Sequence, residues 1–186
     1  SAVEEADKEV RRILKKNTDL VRRVVEEAKK ILDRNEKRVR EVFKELTRLL
    51  DELRKLIEEG NREERLRELL DRVRKRLKEE MDKVRKEDEK SREDLRRLVR
   101  ELEELSKRTK EELDELTRAL RKDLKDVEEV ERLLRELERR LEDSVRKARE
   151  LLKDIERRLR ESIKRSEELL RDVERRLKEL EERLEE

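Results

Sequence analysis

Apolar residues recur along this chain at helical spacing, and the spacing itself repeats every eighteen residues. The last 54 residues divide into three lines, LLRELERRLEDSVRKARE, LLKDIERRLRESIKRSEE and LLRDVERRLKELEERLEE, each opening on a Leu pair and carrying ERRL at one offset. Eighteen residues make five turns at 3.6 residues per turn, so the pattern keeps one apolar stripe on one side of a nearly straight helix. The first third of the chain follows the same ruler. Its inner face reads Val3, Ala6, Val10, Leu14, Asn17, Val21, Val24, Ala28, Leu32 and Asn35, continuing through Leu46, Leu50 and Leu53 to Ile57.

This periodicity predicts three helices of about 60 residues, over about 2–59, 62–122 and 127–185, forming one domain across 1–186. Ser1 with Glu4 reads as a capping box. Gly60 suits the left-handed position that ends a helix, and Asn61 with Glu64 suits the start of the next. Asp126 with Glu129 marks another start after a stretch without glycine. The helical phase does not break there, so a helix continuous through 121–130 is the alternative, although equal thirds favour a turn.

An up-down-up antiparallel three-helix bundle then places residues at common heights by two fixed sums, 123 between helices one and two and 250 between helices two and three. Apolar levels follow, among them Val3/Leu120/Val130, Val10/Leu113/Leu137, Val24/Val99/Leu151, Leu46/Leu77/Val173, Leu50/Val73/Leu177 and Ile57/Leu66/Leu184. Val25, Phe43, Leu134 and Leu152 form a second row, as expected for helices facing two neighbours.

Two levels break the apolar rule. Asn17, Ser106 and Ser144 share one, with Thr109 beside it; Asn35, Asp88 and Ser162 share another, one repeat away, with Ser91 and Ser166 beside it. Their alignment predicts two buried hydrogen-bonded layers. A bundle with an internal repeat can slide by one repeat and still bury leucine against leucine. Sliding would oppose Asn or Asp to Leu at roughly 1–3 kcal/mol for each unsatisfied group, so the polar levels are expected to fix the register.

Composition narrows the field of functions. Of 186 residues 61% are charged, 58 basic against 56 acidic, and the 31% that is apolar is spaced rather than scattered. With one Gly, no Pro and Phe43 as the sole aromatic residue, the chain is all-α. The absence of Cys and His removes disulfides, thiolate chemistry, imidazole bases and the usual zinc sites. No apolar run could span a membrane, and basic pairs such as Arg11-Arg12 sit among acids instead of gathering into a phosphate-binding face. Asp88 is the one position that invites a chemical role. Metal sites in bundles gather several Glu and His side chains, and no second acid shares its level, so it reads as a network acceptor whose pKa burial should raise. No catalytic residue, cofactor, metal, nucleic acid, membrane or small-molecule partner is expected.

Taken together, the eighteen-residue repeat, matched helix lengths, capped turns, Glu/Lys/Arg surfaces and polar residues confined to chosen layers resemble a computationally designed, idealised three-helix bundle with buried hydrogen-bond networks. The glycine-free second turn departs from that pattern. The resemblance implies a hyperstable scaffold without biological activity or native compartment, cytoplasmic when expressed recombinantly and monomeric. A coiled-coil module that self-associates or binds a partner helix is the alternative.

Overall fold

Leucine-rich stripes flanked by charge produce three helices: α1 (Ala2–Glu58, 57 residues), α2 (Glu63–Asp123, 61 residues) and α3 (Glu128–Glu185, 58 residues). The computed structural model describes residues 2–60, 63–123 and 128–185. The caps read at Ser1, Asn61 and Asp126 lie outside the described residues. Acids occupy the first turns, Glu4 and Glu5, Glu63 and Glu64, and Glu128 and Glu129; bases occupy the last turns, Lys55, Arg121 and Lys122, and Arg183. Both placements complement the helix dipole.

α1 ends as expected at Gly60. Its φ is 66°, and the Glu59 and Gly60 amides donate to the carbonyls of Lys55 and Ile57 at 2.9 and 3.3 Å. At the second connection, Arg121 and Glu131 are hydrogen-bonded to each other. Ten residues of continuous helix would separate them by about 15 Å along the axis, so the chain reverses between α2 and α3.

The chain forms two compact units, each holding a segment of every helix: residues 1–30 with 93–156, and residues 31–92 with 157–186. In the first unit Arg12 meets Glu112 at 3.4 Å and Arg23 meets Glu101 at 3.1 Å. In the second, Arg38 meets Glu87 and Glu45 meets Arg76. Partner numbers fall on α2 as they rise on α1, so the two helices are antiparallel in both units. All four pairs have numbers that add to within a few of the expected 123.

Each unit has its own core. Ile13, Leu113, Leu120, Leu134 and Leu141 pack together in the first, with Val10, Val130 and Leu137 against them. Leu46, Leu50, Leu53, Leu70, Val73, Leu77, Val173, Leu177 and Leu180 belong to the core of the second. The expected levels Leu46/Leu77/Val173 and Leu50/Val73/Leu177 are therefore buried intact.

Other levels need correction. Val3, Leu14, Leu151 and Leu184, all read as inner-face residues, are exposed to 57%, 38%, 47% and 37%. In the Leu pairs of α3 the first member turns outward, as Leu133 and Leu151 do, while Leu134, Leu152 and Leu170 are buried. On α3 the second-row residues Leu134 and Leu152 thus belong to the core, whereas Val25 and Phe43 on α1 are half-buried as a second row should be. On α2, likewise, Leu98 is fully buried where Val99 was expected, and Val99 is only partly covered. Neighbouring residues share nearly the same height yet point about 100° apart, so a rule about height does not decide which of two adjacent side chains faces inward.

Candidate functional site

The polar levels are the only departures from an apolar interior that the sequence singles out, and the two units treat them differently. In the first unit Asn17 is 1% exposed, and its Nδ2 donates to Thr109 Oγ1 at 3.3 Å. Its Oδ1 is buried without a hydrogen-bond partner. Ser106 and Ser144, expected at this level, are half-buried and do not bond to Asn17 among the described residues. Thr109, one turn further along α2 than Ser106, supplies the acceptor instead.

In the second unit one side chain from each helix converges. Ser162 Oγ on α3 donates to Asn35 Oδ1 on α1 at 2.7 Å, and the Asn35 side chain is close enough to Asp88 on α2 to favour its ionised form. With Oδ1 taken by Ser162, the Asn35 amide nitrogen is the donor left to face the carboxylate, which when ionised only accepts. Asn35, Asp88 and the neighbouring Ser166 are buried. Removal from water raises the Asp88 pKa from 3.8 to about 6; Glu167 pushes the same way, while Arg38, Arg92 and the Asn35 hydrogen bond oppose it.

A second buried carboxylate was not anticipated. Glu80 on α2 is 2% exposed, with Oε1 3.1 Å from Arg76 Nη2 and Oε2 4.0 Å from Arg38 Nη2. Arg76 also reaches Glu45 at 2.9 Å, and Arg38 also pairs with Glu87. Lys83 Nζ lies 3.9 Å from Oε1, so the buried carboxylate is desolvated beside three cations, while the two arginines also keep more exposed acids. A signal was available: the stripe Val73, Leu77, Glu80, Val84 has the alternating four- and three-residue step of a core face. Met81, next to it, is the residue that the eighteen-residue ruler selects.

None of these groups forms a reactive pair. Among the described residues no set of three or more acids is placed to hold a metal ion, and no helix is long and apolar enough to cross a membrane.

The architecture has a solved counterpart. Across 99% of this chain and 91% of the other, it superposes on a protein described as a "Computationally designed three helix bundle", with a TM-score of 0.59 and 22% sequence identity. The chain is a three-helix bundle. At that identity the likeness concerns the fold. No protein-family profile matches the bundle's sequence, and no curated protein does.

Proposed function

We propose that this bundle is a designed structural scaffold with no natural biochemical activity, in which buried polar residues set the register of helices that would otherwise be free to slide by one repeat. The observation that carries the reading is the convergence of Ser162, Asn35 and Asp88, one polar side chain from each helix, with Ser162 hydrogen-bonded to Asn35 and Asn35 acting on Asp88. A repeat-length slip would separate these three groups and oppose either Asn35 to Leu70 or Asp88 to Leu53, according to its direction. The fold's likeness to a designed bundle supports the scaffold reading, as does the regular distribution of charge at helix ends. The whole chain, on this reading, works as one domain.

The test is inter-helix crosslinking between cysteines introduced at matched heights, in the unaltered layers and in a variant carrying Asn35→Leu, Asp88→Leu and Ser162→Leu. Slipped crosslinks should appear only in the variant. A single register in both would overturn the role assigned to the polar level.

A second reading rests on Leu133 and Leu151, exposed to 60% and 47% one repeat apart on α3. They form the outward side of an interaction module if the chain self-associates. Solution scattering on an absolute scale separates the two: a mass near 23.1 kDa supports the scaffold, and a multiple of it supports association.

A further inference from the structure

Arg38 and Asp88 form an incomplete ion pair in the second unit. Arg38 is near enough for its charge to act on Asp88, yet no direct salt bridge joins them among the described residues. Its Nη1 is held by Glu87; its Nη2 is buried without a hydrogen-bond partner, 4.0 Å from Glu80 Oε2. Between α1, α2 and α3 lies a small cavity lined by Arg38, Asp88, Asn35 and Ser166 together with valine, leucine and phenylalanine side chains. The space open to a water-sized sphere is about 20 Å³. A single buried water needs roughly 10–15 Å³ measured in this way and two to four polar partners.

We propose that this cavity is a binding site for one internal water molecule, which accepts from Arg38 Nη2 and donates to the Asp88 carboxylate and to Ser166 Oγ, converting the separated charges into a water-bridged pair. Each group at the site then has a partner. The guanidinium nitrogen loses its orphan status, and the carboxylate receives a second donor besides Asn35. A polar contact too long to be direct is commonly closed in this way, at an entropy cost smaller than that of leaving a buried charge unsolvated. The volume excludes anything larger: a cavity able to take benzene measures about 150 Å³. The inference stands on the cavity and its lining, apart from the scaffold reading, so register crosslinking can fail without affecting it and the reverse.

Oxygen-17 magnetic relaxation dispersion on the full chain counts long-lived internal waters. The signal of the unaltered protein should fall by the equivalent of one water in Asp88→Leu and persist in Asn17→Leu, whose polar residue lies in the other unit. Equal signals in the unaltered chain and Asp88→Leu would overturn the proposal. A crystal structure of the unaltered chain provides an independent reading. Density within hydrogen-bonding distance of both Arg38 Nη2 and Asp88 supports the bridge, and direct contact between the two side chains with nothing between them refutes it.

Discussion

Ser162 donates to the Oδ1 of Asn35 across 2.7 Å, and that one contact orients the Asn35 amide so that its nitrogen is left to serve Asp88. Replacing Asn35 with Ala removes the acceptor of one neighbour and the donor of the other. The expected loss is roughly 2–3 kcal/mol, from buried Asp88 at about 1–2 kcal/mol and half-buried Ser162 at about 1 kcal/mol. Ser162→Ala removes a single half-buried donor and should cost about 1 kcal/mol. Urea unfolding of the two variants should rank them in that order; equal losses would mean that Asn35 and Asp88 act independently.

Stability should depend on pH through Asp88. Because its pKa is raised from 3.8 to about 6, the folded chain binds this proton more tightly than the unfolded chain does. The contribution of Asp88 to stability is therefore fully present below about pH 4 and is lost as the pH rises through about 6, by as much as about 3 kcal/mol. Glu138, raised mainly by burial, works in the same direction, whereas Glu9 and Glu131, lowered chiefly by their arginine hydrogen bonds, work against it. Comparison with Asp88→Asn isolates the single group. The difference in unfolding free energy between the two proteins should change between pH 4 and 7, and a constant difference would exclude Asp88 as its source.

The Glu80 cluster should respond asymmetrically to the loss of its members. Glu80→Met removes a desolvated carboxylate, while Arg76 keeps Glu45 and Arg38 keeps Glu87. The change should be within about 1 kcal/mol of neutral, or stabilising. Arg76→Met leaves Glu80 buried without its nearest cation and should cost about 2–3 kcal/mol. Chemical denaturation of both variants checks the sign, and a larger loss for Glu80→Met would contradict it.

Adjacent leucines on α3 should differ sharply. Leu152, 1% exposed, should lose about 2–4 kcal/mol on truncation to Ala. Leu151, 47% exposed, should accept Glu with a change within about 0.5 kcal/mol. Thermal or urea midpoints would show it. A large loss for Leu151→Glu would mean that this face is covered in solution, and the same variant would then reduce the mass measured by scattering.

Gly60 should be specific in a different way. A Cβ there would meet no atom within 4 Å, but the positive φ of 66° is strained for any side chain. Gly60→Ala should therefore cost about 1 kcal/mol through backbone conformation alone, while Gly60→Asn should cost less. Denaturation midpoints for the pair distinguish strain from crowding.

The sequence by itself determined the helices, the reversal at Gly60 and the heights at which polar residues meet. These are local or additive properties: each residue advances a helix by a fixed rise, so counting from one end places Asn35, Asp88 and Ser162 at one level before any neighbour is considered. What only the tertiary structure decided was the direction in which side chains at a given height point. A Leu pair straddles the edge of an apolar stripe, and the position of the neighbouring helices settles that Leu152 enters the core while Leu151 remains outside. The same holds for Asn17, whose amide finds Thr109 and leaves Ser106 and Ser144 unbonded to it. For Glu80 the sequence offers only its place on the stripe of Val73, Leu77 and Val84. Its burial depends on the paths of two long arginine side chains, one from another helix, and rotamers of that length are chosen by packing and not by spacing.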